Sequence, residues 1–312
     1  MSIILLIEPI YTIFKISELQ VREGTNPHLS KGVLFKIGMI VSAILGVGCP
    51  AVYGRINAFL ISMTNGTLGS NLADTTSLDY YFFTWVIFLE VLIAVFVSYH
   101  VGTEFSDGII RNKILIHSSR RKIYLSGLLA NIFFSWAFFS LYWISALCVG
   151  SFFCEPFQMF STSEVMIYIL CLYAILTGLT SLLYMISVSL ANRTWAVIIC
   201  VTLVVVMLWL PIYQTGNLQW GEYFTEDFIN GSMVFYTGEK CPFYIGGIRR
   251  ALSEFLLDFL PGGAVMQFYS LSWLEVIHLI YLKPSILVLG AAFFTFIPGL
   301  TGASLFQRKE IR

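Results

Sequence analysis

The chain has 312 residues, of which 57% are hydrophobic, 16% aromatic and only 12% charged. An ordinary globular domain is about one quarter charged, so no single water-soluble core hides this much apolar surface. The formal net charge of zero gives no global basic signal for nucleic acid. Helix-length apolar runs carry the pattern throughout, and the expected class is an all-α integral membrane protein.

In chain order, Met1 to Ser30 is apolar but broken by Glu8, Pro9, Lys15, Glu18, Arg22 and Glu23. It shows neither the basic leader nor the small-residue cleavage site of a signal peptide. Ile10, Ile13, Phe14, Ser17 and Val21 fall on one face, which predicts an interfacial helix lying on the membrane within residues 1–32. The alternative is a loosely packed tail. Val33 to Gly54 is the first span; roughly 22 residues reach about 33 Å. Ser42, Gly46 and Pro50 give it a stripe of small residues for close helix approach. Arg55 to Leu78 reads as an exposed loop, and Asp79 to Tyr99 as the second span.

Further spans are expected at Ile123–Phe153, Glu164–Leu190, Trp195–Tyr213 and Pro284–Phe306, the last interrupted by Pro298. Ala191 to Thr194 is a tight polar turn. Residues 214–283 form the largest region outside the spans. Within it, Ile248, Leu252, Phe255, Leu256 and Phe259 share one face of an amphipathic helix, with Arg250, Glu254 and Asp258 spaced at i, i+4 on the other. Pro261-Gly262-Gly263 is read as stopping that helix. Ala264 to Leu282 is apolar enough to enter the membrane, yet Gln267, Glu275 and His278 argue against a lipid-exposed crossing. A re-entrant or interfacial segment is expected there, with a seventh span as the alternative.

Basic residues orient the chain. Six spans place all but Arg55, Lys240, Arg249, Arg250 and Lys283 of the 18 Lys and Arg on one side. Both termini and the turn at Asn192 are therefore expected in the cytoplasm, in a multi-pass cell-membrane protein with residues 214–283 outside.

One polar interruption carries the functional signal. From Tyr99 to Gly127 the chain offers Glu104 and Asp107, then Gly108, then Ile109-Ile110-Arg111-Asn112-Lys113, and after a polar break Arg120-Arg121-Lys122. Ile110 and Ile114 at i, i+4 predict a short helix with apolar and charged faces. Ser118 or Ser119 suits the N-cap of a helix beginning at Arg120. Such a segment is suited to docking something outside the membrane; the alternative is a solvated loop whose basic residues enforce topology and touch anionic lipid.

These residues resemble a family. Glu104-Phe105-Ser106-Asp107-Gly108-Ile109-Ile110-Arg111-Asn112-Lys113, followed by Ser119-Arg120 and Ile123-Tyr124-Leu125-Ser126, resembles the loop between the second and third spans of type-2 ABC transporter permeases. The tail from Gly302 to Ile311 is similar to the Gly-x-x-x-Phe-x-x-Arg/Lys-Asp-Ile ending of bacterial members. Pro261-Gly262-Gly263-Ala264 with Gln267 is similar to their segment before the last span. Spacing and order agree from about Val33 to the end.

The resemblance implies a single six-span permease domain over residues 33–312. It also implies a coupling helix between spans two and three, and pairing with a second permease of the same or another kind. It assigns coupling to an ATP-binding subunit to Glu104, Phe105, Asp107, Gly108, Ile109, Ile110, Arg111, Asn112, Lys113 and Arg120. ATP and Mg would then belong to that partner chain. No Gly-x4-Gly-Lys-Ser/Thr phosphate loop stands in this sequence, and no cofactor is expected on it. The cargo class favoured by analogy is an amphipathic or antimicrobial peptide, exported or cleared for self-immunity; lipid or polysaccharide export is the alternative within the family.

Other classes have less support. An ATP-independent transporter or channel calls for paired repeats with broken helices and several midplane charges, and the spans offer one, Glu90. An intramembrane enzyme needs at least two facing polar groups. Glu275-x-x-His278 has metal-pair spacing but stands as one copy, and the six cysteines form no Cys-x-x-Cys. Cys154 and Cys241 are both expected outside, where a disulfide between them is an alternative to free thiols. Glu90, amid the apolar run from Phe82 to Val97, is either a residue on the cargo path or a neutral acid bonded to a neighbour such as Asn131 or Tyr142.

Overall fold

The computed structural model describes residues 29–63, 78, 82–115, 119–157, 160–218, 223–226, 235–240, 244–271 and 283–308. Two units divide the chain, Met1–Ile37 and Gly38–Arg312, and the account below concerns the second. The expected N-terminal interfacial helix lies outside the described residues.

Among the described residues the order is α1 (Leu29–Met63), α2 (Val86–Ser106), α3 (Ile109–Leu115), α4 (Arg120–Phe153), α5 (Thr162–Leu190) and α6 (Arg193–Leu218). Then come β1 (Tyr223–Glu226), β2 (Phe235–Lys240), α7 (Gly247–Phe259), α8 (Pro261–Leu271) and α9 (Pro284–Arg308). Six helices are long and apolar enough to cross a membrane: α1 over Leu34–Val52, α2, α4, α5, α6 over Arg193–Pro211, and α9. They correspond one for one to the six spans expected.

Local chemistry sets the helix ends. Ser119 accepts from the Lys122 N–H at 3.4 Å and starts α4. At the start of α5 a capping box forms: Glu164 accepts from the Ser161 N–H at 2.8 Å while Ser161 Oγ accepts from the Glu164 N–H. That helix ends on Ala191, left-handed at φ 51°, an uncommon conformation for a residue with a Cβ. Asn192 Oδ1 then accepts from the N–H groups of Thr194 and Trp195 at 3.0 and 3.3 Å, so α6 begins without a gap.

Several boundaries differ from the expected ones. The first helix runs on to Met63, because Ile56 to Met63 contains no breaker, so residues 55–63 are helix rather than loop; residues 64–77 of the expected loop lie outside the described residues. The second span is shifted: Phe83 to Trp85 turn, and α2 runs from Val86 through Ser106, so Tyr99 to Ser106 is helix rather than loop. The fifth helix passes through Pro211 to Leu218. Pro261 opens α8 at the first helical position, which tolerates its missing N–H; the actual stop is at Leu260. To the all-helical expectation the structure adds a small antiparallel pair, β1 with β2, in which Tyr223 faces Lys240 and Glu226 faces Phe235.

α2 and α5 form the buried centre. Leu89, Ile93, Val97 and Val101 of α2 and Leu172, Leu176, Leu179 and Leu183 of α5 are nearly inaccessible. The small-residue stripe expected on α1 is used as foreseen: Gly46 lies against the Tyr142 carbonyl and Ser145 of α4. α9 lies along α5, where the Ser181 hydroxyl donates to the Thr295 carbonyl at 2.9 Å. That carbonyl lies one turn before Gly299, next to the helix rung that Pro298 cannot make.

Candidate functional site

The polar segment between α2 and α4 gathers several chain ends at one end of the bundle. The last turn of α2 carries Glu104 inward, with its side chain 13% exposed. The Asp107 N–H reaches back to the Thr103 carbonyl at 2.9 Å. Gly108 then turns the chain at φ 69°, a left-handed conformation that suits glycine, and its carbonyl receives the Asn112 N–H at 3.0 Å as α3 starts. Across this corner Lys113 Nζ meets Glu104 Oε1 at 2.9 Å, and Ile110 is buried at 4% exposure. The Glu104–Lys113 ion pair ties α3 to the end of α2, and the burial of Ile110 seats its inner face against the chain.

The ten residues assigned to coupling divide by surroundings. Asp107, Arg111 and Asn112 are exposed, as is Leu115 beyond them. Glu104 and Lys113 face each other, Ile110 faces inward, and Gly108 and Ile109 are half-buried. Phe105 meets the edge of Phe306 on α9, ring centroids 6.5 Å apart. Arg120 donates to the Gln307 carbonyl in the last turn of α9 at 3.1 Å, a position where a cation complements the helix dipole.

Residues outside the expected set complete this end. The Arg193 guanidinium lies 4.0 Å over the Tyr99 ring. A Cβ on Gly102 would stand 2.6 Å from the Arg193 Cα, so α2 and the start of α6 are in backbone contact. Tyr124 on α4 touches Phe306 at 6.2 Å and Tyr184 on α5 at 5.1 Å between ring centroids. Its hydroxyl donates to the Pro298 carbonyl at 3.3 Å. An aromatic row, Phe105, Phe306, Tyr124 and Tyr184, thus links the helix next to α3 with the proline position of α9. In the sequence Arg193 shows only as a basic residue in a turn, and Tyr124 as the aromatic residue of the Ile123–Ser126 run, with no sign of these contacts.

Glu90 lies in α2, fully buried, and among the described residues neither of its oxygens has a hydrogen-bond partner. The two partners considered from the sequence are engaged elsewhere: Tyr142 donates to the Phe82 carbonyl at 2.8 Å, and Asn131 Nδ2 to the Gly127 carbonyl at 2.8 Å. Cys154 is a free thiol, pushed up to about 11 by burial, with its sulfur 3.9 Å from the Pro50 carbonyl. Cys241, Glu275 and His278 lie outside the described residues. Among the described residues, no three His, Cys, Asp or Glu side chains come together as a metal site.

At the opposite end, α7 and α8 meet in a corner seated between α6 and α9. A Cβ on Gly263 would stand 3.0 Å from the Leu257 Cα, and one on Gly290 of α9 would stand 2.7 Å from the Phe259 carbonyl. Gly262 lies against the backbone of Met207 on α6. Gln267, fully buried, donates to the Leu257 carbonyl at 3.1 Å and to Asp258 Oδ1 at 2.8 Å. Burial pushes the Asp258 carboxyl above its ordinary value, while the bond from Gln267 and the charge of Lys283 pull it back. α8 has 11 residues, about 16 Å of helix, against a hydrocarbon core of about 30 Å. The rest of the expected re-entrant segment, residues 272–282, lies outside the described residues.

No family model, curated protein or solved structure matches the chain.

Proposed function

We propose that this chain is the transmembrane permease subunit of an ATP-driven exporter of the type-2 ABC kind, working with a separate ATP-hydrolysing subunit and a second permease. The observation that carries the proposal is α3. It is a seven-residue helix between two spanning helices, held at its inner face by Ile110 and the Glu104–Lys113 pair, with Asp107, Arg111, Asn112 and Leu115 facing away from the chain. A helix fixed on one side and exposed on the other transmits a push from a docked partner into α2. The resemblance of residues 104–113 supplies the identity of that partner.

In this reading α2, α4, α9 and the start of α6 move together, since Phe105 with Phe306, Arg120 with Gln307, and Tyr99 with Arg193 tie them at the end where α3 sits. The favoured cargo is an amphipathic peptide. Glu90 supports a cationic or polar cargo path, because an unpartnered buried carboxylate in a span is a functional position by default. The reading places α3 and both termini in the cytoplasm.

The test is purification of the tagged full-length chain from its native membrane. An ATP-hydrolysing subunit should co-purify with the wild type and be lost from Arg111→Glu, while the variant chain remains folded in the membrane. A chain that moves cargo in vesicles without any ATPase, or wild-type retention of the ATPase by Arg111→Glu, removes the proposal. Cysteine labelling at Ser119 and Gln307 from one side, and at Gly246 from the other, checks the orientation independently.

A further inference from the structure

α7 presents an apolar face away from the bundle. Ile248, Leu252 and Phe255, at i, i+4 and i+7, are 88%, 58% and 52% exposed. On the opposite side Leu257 is buried against the chain, and Gln267 holds the carbonyl of Leu257 and the carboxylate of Asp258. The apolar face is therefore fixed outward rather than free to roll inward. Arg250 and Glu254 pair at 2.9 Å along one flank, and Arg250 also lies 5.3 Å over the Tyr244 ring.

Two further observations identify what covers this face. Phe255 stacks on Phe259 at 5.0 Å, and Phe259 meets Phe293 of α9 at 5.1 Å. Phe293 belongs to the exposed row of a spanning helix, with Leu289, Phe296 and Leu300. The exposed face of α7 thus runs continuously into the surface that α9 turns to hydrocarbon. The second observation is depth. Phe259 contacts α9 at Gly290 and Phe293, six and nine residues past Pro284, which is about 9 to 13 Å along the axis. Half the excess of a 25-residue helix over a 30 Å core is about 4 Å. With α9 centred on such a core, the corner after α7 would lie about 5 to 10 Å inside the hydrocarbon boundary, the depth at which amphipathic interfacial helices seat their apolar face.

We propose that α7 is a lipid-inserted helix, lying in the leaflet opposite α3 with Ile248, Leu252 and Phe255 among the acyl chains. A helix leaving the membrane steeply would carry Ile248 into water, about 16 Å from Phe259 along the axis; one lying in the interface keeps all three in lipid. The charges of α7, Arg249 and Arg250 against Glu254 and Asp258, cancel. Acyl chains rather than anionic headgroups are thus the recognised partner, and insertion is indifferent to salt. The inference needs only a membrane-spanning chain, not an ATPase.

The experiment places the photoreactive side chain of p-benzoylphenylalanine at Leu252, at Phe255, at Glu254 and, as a reference already facing hydrocarbon, at Phe293. The full-length chain is used, in phosphatidylcholine nanodiscs. After irradiation, mass spectrometry of the peptides reads lipid adducts. Positions 252 and 255 should give adducts at a level close to 293 and about tenfold above 254, unchanged between low and high salt. Adducts at 252 and 255 no higher than at 254 overturn the proposal. So does a covalent chain-to-chain product from those positions, which would make the face an interface between copies. Each variant is judged only after it elutes as a monodisperse species; Leu252→Trp with quenching by brominated lipid is the second measurement, and absence of quenching there also overturns it.

Discussion

Glu104 and Lys113 meet at 2.9 Å across the corner between α2 and α3, and their pairing divides the polar segment into an inner and an outer half. The sequence places both residues on a docking surface. The structure turns them toward each other and leaves Asp107, Arg111, Asn112 and Leu115 as the exposed groups of the segment.

The two halves should respond differently to substitution. Arg111→Glu and Asp107→Lys change exposed groups and should alter stability by no more than about 0.5 kcal/mol, while weakening retention of an ATPase subunit. Glu104→Gln loosens a partly exposed pair worth up to about 1 kcal/mol and should raise amide exchange over residues 109–115. Ile110→Ala empties a buried site and should cost about 2 kcal/mol or more. Thermal denaturation in nanodiscs with hydrogen exchange separates them. Equal destabilisation by Arg111→Glu and Ile110→Ala would refute the division.

Much of the fold is legible in the sequence because apolar run length alone specifies a span. The Ser119 cap, the α3 helix and the amphipathic α7 also follow from local pattern. What escapes is whatever depends on an absent breaker or a distant partner. Tyr99 to Ser106 looks like loop because it is polar, yet nothing in it interrupts a helix, and its Ser and Thr hydroxyls bond back to carbonyls one turn earlier, as Thr103 does to Tyr99 at 2.6 Å. Pro261 reads as a terminator, and α7 does stop just before it with Leu260 extended; that the same proline also opens α8 is not visible locally. Tyr124 and Arg193 gain their roles from contacts 60 or more residues away in sequence, which no local pattern encodes. The strands β1 and β2 each run from two aromatic residues into polar ones without alternating, so they lack the period-2 signal of a strand.

The Tyr124–Gly302 contact yields a second test. A Cβ on Gly302 would stand 2.6 Å from Tyr124 Cζ and press on its hydroxyl, so Gly302→Ala should cost about 1–3 kcal/mol by overpacking. Tyr124→Phe loses the bond to the Pro298 carbonyl, about 1 kcal/mol. The double variant should cost less than the sum, because deleting the hydroxyl makes room for the methyl. Strict additivity in a double-mutant cycle of melting free energies would contradict the contact.

Asp258 sets a pH dependence. Its folded-state carboxyl is raised, chiefly by burial, so the native chain holds this proton more tightly than the unfolded chain does. Between the ordinary aspartate value and the raised one, stability is greater at the acid end and declines as pH rises. Asp258→Asn keeps an oxygen acceptor for Gln267 and removes the titration. The variant should lose that slope and match or exceed the wild type at neutral pH, in melting curves from pH 4 to 7 with other titrations common to both. An unchanged slope would mean that the carboxyl is not shifted.

Glu90 provides the sharpest contrast. From the sequence, a structural Glu90 bonded to Asn131 or Tyr142 would make Glu90→Leu destabilising by a lost buried hydrogen bond, about 1–3 kcal/mol. Both candidates donate elsewhere, and among the described residues the carboxyl oxygens have no partner. Removing an unpartnered buried polar group relieves desolvation rather than breaking a bond. Glu90→Leu, close in volume, should therefore leave stability unchanged or raise it by about 1 kcal/mol or more. On the proposed cargo path, Glu90→Gln should leave the chain folded yet weaken transport of basic cargo more than neutral cargo. Destabilisation of Glu90→Leu beyond about 1 kcal/mol in thermal melts would reveal a hydrogen-bond partner and a structural role. Equal transport of basic and neutral cargo by Glu90→Gln, at wild-type rates, would take Glu90 off the cargo path.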